Sequence, residues 1–352
     1  MAFDFPNTPS TGQRVTGAGG IVYVWDGVKW TSSVGNLTVQ SMGDIGRNLL
    51  HNPLFNVAQR GAGGFTANAA YTADRWQIVF SGGSSTVALG AMPDGSRTQI
   101  GDEAATTYLN DNFAGTAGAS DYNFLQQPIE SVRRLAGKTV TLSLYANAGS
   151  GTPKLGASIV QIFGTGGSPS AAVTVNGQPA FTLSTSWQRY SMTFTLPSSA
   201  GKTLGTAGND STTLRLWFSA GSNTAVESGN VGVQTASISL WGIQLEIGSV
   251  ATPLEKPDLR YDLANCQRFY HVGSFAWQGY SPATAISVGS SWTFPVAMRA
   301  IPTMVVTADS VSTGMGARTL LADNAMFGRP NAVSGANGGW AWLGTYSASA
   351  DL

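Results

Sequence analysis

The stretch TVTLSLYANA (139–148) alternates apolar and polar residues, which places Val140, Leu142 and Leu144 on one side of an extended chain. A period of two is the signature of a strand that buries one face and leaves the other towards solvent. WQRYSMTFTLP (187–197) repeats the pattern. Both stretches therefore predict β-strands with one apolar face.

Two further runs extend the pattern towards the middle of the chain. ASISLWGIQLEIG (236–248) is a long apolar strand candidate. TTLRLWFSA (212–220) directs three apolar side chains inward, whereas Arg215 and Trp217 lie on the opposite face. The inward set of that run is Leu214, Leu216 and Phe218.

Composition supports short strands joined by tight turns. The 352 residues include 44 Gly and 15 Pro, charged residues make up 11%, and hydrophobic residues make up 42%. Clusters of Gly, Ser and Asn separate the alternating runs, and glycine supplies the positive φ that tight turns require. We therefore expect an all-β protein in which residues 46–257 form a jelly-roll β-sandwich.

The first 45 residues are predicted to be a separate small β-hairpin unit followed by a linker. GGIVYVWDGVKWTS (19–32) contains two strand candidates around Asp26-Gly27, a strong turn signal. A unit of this size holds little core by itself, so we expect it to dock onto another protein.

Residues 258–352 are predicted to form a short helix near 258–271, capped by Asp258, and then a C-terminal β domain. A second short helix is expected at 128–135, where a proline begins it and a glycine follows it. The stripe of the 258–271 helix can pack against two further copies around a threefold axis, or against its own sandwich. The stripe consists of Leu259, Leu263, Cys266 and Tyr270.

Several stretches resemble bacteriophage tail-fibre proteins that carry a carbohydrate-binding-module-like jelly roll. The most specific is GIQLEIGSVATPLEKPDLRYDLANCQRFY (242–270). NLLHNPLFNVAQRG (48–61) with YTADRWQ (71–77), and LQQPIESVRRLAGKTVTLSLYANA (125–148), add to it. FPNTPSTGQ followed by YVWDGVKW also resembles a recurring phage structural module. The resemblance implies a virion-attached homotrimer whose distal parts contact the bacterial surface.

The expected function is adhesion to a host-surface polysaccharide. Residues 1–45 would attach the fibre to other tail or collar proteins, and the chain would assemble in the bacterial cytoplasm. A purely structural virion part, such as a collar fibre, head fibre or decoration protein, shares the same fold. A glycan depolymerase would instead need two facing carboxylates, for which Asp102, Glu103, Asp121 and Glu130 are the candidates.

Aromatic rings stack on pyranose faces while nearby polar side chains bind the hydroxyl groups. Trp217 beside Arg215 is therefore a candidate sugar platform. The distal candidates are Trp277, Tyr280, Trp292, Trp340, Trp342 and Tyr346. Packing inside the core or at a trimer interface is the alternative role for each of them.

Other chemistry has weak support in the sequence, and we expect no enzyme. The two histidines, His51 and His271, accompany no nucleophile motif, and a single cysteine excludes an intrachain disulfide. The net charge of zero argues against nucleic-acid binding, and no apolar run is long enough for membrane insertion. No cofactor is expected, although Asp74 or Glu246 could bind a structural calcium ion; a turn cap and an ion pair are their alternative roles.

Overall fold

The structure is a computed structural model that describes residues 5–16, 22–33, 46–335 and 337–352. The chain divides into two compact units, Met1–Arg47 and Asn48–Leu352. The predicted division into three parts, with boundaries at 45 and 257, stays a prediction.

The N-terminal unit is a three-stranded antiparallel sheet of β1 (Arg14–Thr16), β2 (Val22–Trp25) and β3 (Trp30–Ser33). The predicted hairpin is confirmed, since Trp25 lies opposite Trp30 with ring centroids 5.6 Å apart. The Asp26 carboxylate accepts hydrogen bonds from the backbone N–H groups of Val28 and Lys29, which closes the turn. Most of the predicted linker lies outside the described residues.

Eleven strands follow within residues 77–247. In chain order they are β4 (Gln77–Ser81), β5 (Ser84–Ala91), β6 (Thr107–Ala114), β7 (Tyr122–Glu130), β8 (Thr139–Ala148), β9 (Lys154–Ile162), β10 (Val173–Val175), β11 (Phe181–Thr182), β12 (Gln188–Thr195), β13 (Ser211–Ala220) and β14 (Thr235–Ile247). A six-stranded sheet has the order β10-β9-β13-β7-β4, with β11 also paired to β9. A five-stranded sheet has the order β12-β8-β14-β6-β5. The jelly-roll sandwich expected from the sequence is confirmed.

The main core lies between these two sheets. Val140, Leu142 and Leu144 of β8 are fully buried, as the alternation predicts. The inward side chains of β13 are equally buried, and Phe218 stacks on Phe113 of the other sheet with centroids 5.5 Å apart. Burying one such side chain stabilises the fold by about 1.5–3 kcal/mol.

The helix predicted at 128–135 is wrong. Strand β7 continues through Pro128 to Glu130, and a short 3-10 turn, Val132–Arg134, follows. Strand β4 begins at Gln77, opposite Gln126, and does not reach Pro128. A proline at this position therefore removes no hydrogen bond to β4. A different helix, α1 (Asp94–Ile100), lies in the sandwich and was not predicted. It ends at Gly101, whose φ of 70° is left-handed.

The distal part, residues 258–352, begins with α2 (Leu259–Gln267), and the Asp258 side chain accepts the N–H of Arg260 as the predicted cap. Six strands follow: β15 (Tyr270–Ser281), β16 (Trp292–Thr293), β17 (Thr303–Thr313), β18 (Met315–Ala322), β19 (Phe327–Ser334) and β20 (Gly338–Ser349). They form two three-stranded sheets with the orders β15-β20-β17 and β16-β19-β18. Tyr270 therefore begins a strand rather than extending the helix.

Glycines and aromatic residues are paired across the distal strands. Gly344 lies opposite Phe275, and a Cβ at Gly344 would stand 2.2 Å from the Ala308 carbonyl oxygen and 2.9 Å from the Phe275 ring. Such a pair lets an aromatic ring cover the glycine backbone. The same arrangement recurs at Gly273 with Tyr346, Gly279 with Trp340 and Gly328 with Trp292.

We predict that Gly344→Ala lowers the stability of the protein by about 1–3 kcal/mol, because the added methyl group overlaps backbone and ring atoms. Gly339→Ala is the matched control on the same strand, since its Cβ would meet nothing nearer than 3.9 Å. Denaturant unfolding of both variants checks this. Equal midpoints for the two variants would refute the close approach.

Buried carboxylates make stability depend on pH in an unusual direction. Burial raises the pKa of Asp111 to about 6, although hydrogen bonds from Ser85 and Thr86 partly oppose the shift. Burial raises the pKa values of Asp74 and Asp262 to about 6 as well. The folded state then binds more protons than the unfolded state between these pKa values and the ordinary value of 3.8.

We therefore expect the contribution of Asp111 to stability to rise as the pH falls from 7.5 towards 4.5. Asp111→Asn should remove that contribution and flatten the rise in melting temperature. Asp94→Asn serves as the control because that side chain is 93% exposed. If melting temperature depended on pH in the same way in the wild type and in Asp111→Asn, burial would not raise the pKa of this carboxyl.

Candidate functional site

The outer face of the six-stranded sheet carries a continuous row of polar side chains. Arg215 of β13 lies opposite Ser158 of β9 on one side and Gln126 of β7 on the other. Gln77 of β4 lies opposite Gln126 and completes the row. We call Ser158, Arg215, Gln126 and Gln77 the polar row.

The charge of Arg215 is balanced within this face. Its Nη1 donates to Glu227 Oε1 at 2.8 Å, and the two side chains are 22% and 19% exposed. The guanidinium carbon lies 4.7 Å from the centroid of the Phe124 ring. Gln126 Nε2 donates to Gln77 Oε1 at 2.7 Å. Ser158 is fully buried, so the accessible part of the row consists of two amides and one guanidinium, whose charge Glu227 balances.

Trp217 does not form an exposed platform, so that prediction is wrong. It lies on the predicted outer face but is 1% exposed, packed against Phe124, Val231 and Ala180. Its Nε1 donates to Ser158 Oγ at 2.8 Å. Alternation along β13 identified the face, whereas the segments that cover Trp217 come from distant positions in the chain.

Most of the distal aromatic candidates are packed into a second core. Trp342 is 1% exposed and donates from Nε1 to Asp309 Oδ1 at 2.7 Å, so its predicted role as a sugar platform is wrong. Tyr346 is buried in the same core. Trp277, Trp292 and Trp340 are half-buried against it. Tyr280 is 72% exposed, and its hydroxyl donates to Asn337 Oδ1.

The predicted trimer stripe is split between the interior and the surface. Cys266 is fully buried in its own chain, and the Tyr270 ring lies 3.4 Å from the guanidinium carbon of Arg60. Burial of Cys266 within its own chain corrects its assignment to an interface, whereas Tyr270 is half-buried and its interface role stays a prediction. Leu259 and Leu263 are 56% and 36% exposed.

The two calcium candidates are occupied by donors from the protein itself. Asp74 Oδ1 accepts a hydrogen bond from the backbone N–H of Gln59, and its Oδ2 accepts one from the side-chain amide of Gln59. Glu246 accepts the N–H and hydroxyl of Thr252. Within the described ranges, no group of three or more His, Cys, Asp or Glu side chains could hold a metal ion. Calcium binding thus gains no support from these residues.

The histidines and carboxylates considered as catalytic candidates are buried or paired with neighbouring groups. Burial lowers the pKa of His51 to about 3, and burial lowers the pKa of His271. Asp102 pairs with Lys256, and Glu130 pairs with Arg268. Asp121 accepts hydrogen bonds from the Thr116 hydroxyl and the Gly118 N–H.

In the parts of the chain that are described, no helix has the length and apolarity needed to cross a membrane.

Comparison with known proteins yields likenesses at the level of structure. No family model matches the chain. No curated protein sequence matches it.

The solved structures that resemble it include a CBM22-1 xylan-binding domain of Paenibacillus barcinonensis Xyn10C, at 15% identity and a TM-score of 0.32. That match covers 58% of this chain and 96% of the domain. Another is the tailspike protein 4 enzymatically active domain of bacteriophage CBA120, at 10% identity and a TM-score of 0.31. The match covers 57% of this chain and 22% of the tailspike chain. We draw no functional conclusion from likenesses of this size.

The packing role of Trp217 has a direct test. Trp217→Ala should destabilise the protein by about 3–5 kcal/mol, because it empties a buried aromatic site. Tyr280→Ala should change stability by less than about 0.5 kcal/mol, since that ring is mostly in solvent. Equal losses in thermal unfolding would contradict the contrast in burial.

Proposed function

We propose that this protein is a receptor-binding structural protein of the bacteriophage tail-fibre type, which adheres to a host-surface glycan through the outer face of its six-stranded sheet. The observation that carries the glycan-binding part is the polar row across four adjacent strands. The phage role is supported by the resemblance of residues 48–61, 125–148 and 242–270 to tail-fibre sequences.

The chemistry of the polar row suits sugar hydroxyl groups. Side-chain amides both donate and accept hydrogen bonds and the guanidinium donates them, and groups held on strands are well positioned before a ligand arrives. The Phe124 ring is only 4% exposed, so it supports the Arg215 guanidinium from beneath rather than contacting a ligand. Because Glu227 neutralises Arg215, the preferred ligand is a neutral polysaccharide rather than an acidic one.

A homotrimer would multiply weak single sites into firm adhesion. The exposed side chains of Leu259 and Leu263 leave an apolar edge on α2 that further copies of the chain could cover. Exposed Tyr280 offers a second, distal contact with the bacterial surface. The N-terminal hairpin unit would attach the fibre to other virion proteins, and no catalytic step is part of this proposal.

A structural virion part without glycan binding is the second candidate function. The burial of Trp342 and Tyr346 favours this structural role, because buried rings cannot stack on a sugar. Depolymerase activity is the third alternative and would appear as release of oligosaccharides.

We expect Gln126→Ala and the charge-conserving pair Arg215→Gln with Glu227→Gln to weaken binding to host polysaccharide by about tenfold, as losing one good polar contact costs about 1.4 kcal/mol. Arg329→Gln is the control, because that arginine forms an exposed pair with Asp323 in the distal part. Binding would be measured on an array of neutral and acidic host polysaccharides, with light scattering reporting the oligomeric state.

Undiminished binding by both polar-row variants would remove this face as the site. A trimer that binds no glycan would favour the structural candidate, and shortened glycan products would favour the depolymerase.

A further inference from the structure

Asp351, near the end of the chain, lies between two arginines of the jelly roll. Arg60 Nη2 donates to Asp351 Oδ2, and Arg75 Nη1 lies 3.6 Å from Asp351 Oδ1. The Asp351 side chain is 9% exposed, whereas Arg60 is 14% and Arg75 is 1% exposed. An anion of the distal part is therefore enclosed by two cations of the sandwich.

Arg75 has little freedom to find another anion. Its backbone adopts a φ of 73°, and its Nη2 donates to the Pro128 carbonyl oxygen at 2.6 Å. Its guanidinium carbon lies 3.4 Å from the centroid of the Phe269 ring, which belongs to the distal part. A buried guanidinium is costly unless it is paired, so the carboxylate of Asp351 stabilises the whole arrangement.

The residues next to Asp351 are attached to both sides of the junction. The Tyr71 hydroxyl of the jelly roll donates to the Leu352 carbonyl oxygen at 2.8 Å. Within the distal part, the Ala350 N–H donates to the Phe269 carbonyl oxygen, and Arg299 Nε donates to the Ala350 carbonyl oxygen. The segment is thus held from the sandwich and from the distal core at once.

Arg60 is held between aromatic rings of both parts. Its guanidinium carbon lies 3.4 Å from the Tyr270 ring centroid and 5.0 Å from the Tyr71 ring centroid. Its Nη1 lies 3.8 Å from Asp74 Oδ1, so two carboxylates share this cation. Stacking on rings fixes the plane of the guanidinium and directs it at Asp351.

We propose that this arginine clamp, defined as Arg60 and Arg75 closed on Asp351, couples the jelly roll and the distal part into one cooperatively unfolding body with a fixed mutual orientation. The clamp joins residues 291 positions apart. Other hydrogen bonds across the junction include those from the Asn52 N–H to Asp262, from Gln59 Nε2 to the Tyr270 carbonyl oxygen, and from Arg268 to Glu130. They position the surfaces, whereas the clamp neutralises the buried charge. This coupling goes beyond the proposed glycan binding and does not depend on it.

The test is differential scanning calorimetry together with hydrogen exchange on the full chain. The wild type should unfold in one calorimetric transition for residues 48–352, and slowly exchanging amides of β8 and β20 should have comparable protection. In Asp351→Asn the transition should split, and amides of β15 and β20 should exchange at least tenfold faster while those of β8 stay within twofold.

Asp323→Asn is the matched control, because it neutralises a carboxylate of the distal part that pairs with Arg329 at the surface. That variant should keep the single transition. An unsplit transition and unchanged exchange in Asp351→Asn would overturn the proposal. Much weaker protection of the β20 amides than of the β8 amides from hydrogen exchange in the wild type would also overturn it. That measurement needs no variant.

Discussion

Burial of alternating apolar side chains between a five-stranded and a six-stranded sheet is the constraint on which the rest of the large unit depends. Leu142 and Leu216 are fully buried on the two facing sheets. Because side chains alternate along a strand, fixing the inward set also fixes which residues point outward. The outer faces are then available for covering segments, for ligands or for contacts with the distal part.

The outward residues of the six-stranded sheet show how much the covering segments matter. Trp217 and Arg215 lie on the same face of the same strand, two positions apart. Packing from Val231 and Ala180 buries the indole, whereas Arg215 stays partly accessible and pairs with Glu227. The aromatic character of Trp217 made it the more prominent candidate for a sugar platform. The accessible polar side chains lie instead in the polar row, which includes glutamines that no sequence motif distinguishes.

Charged groups are concentrated where the jelly roll meets the distal part. Asp74, Arg75 and Asp262 are all less than 5% exposed. Burying a charge is unfavourable unless a partner and hydrogen bonds offset the loss of water. Arg75 and Asp262 have such partners across the junction, whereas Asp74 is held by Gln59 and Arg60 of the jelly roll itself. Burial also raises the pKa values of both Asp74 and Asp262.

Local pattern was sufficient for the strands β8, β12, β13 and β14, for the hairpin around Asp26-Gly27 and for the cap of α2, because each depends on neighbours within a few residues. The sequence alone also indicated an all-β sandwich, since period-two alternation recurs over its length. Pro128 misled the prediction because a strand tolerates proline at a position that its neighbouring strand does not reach, which local pattern does not show. The burial of Trp217, Trp342 and Cys266, the polar row and the arginine clamp were decided by the tertiary structure. They depend on contacts between residues far apart in the chain, and side-chain exposure is set by those contacts rather than by local periodicity.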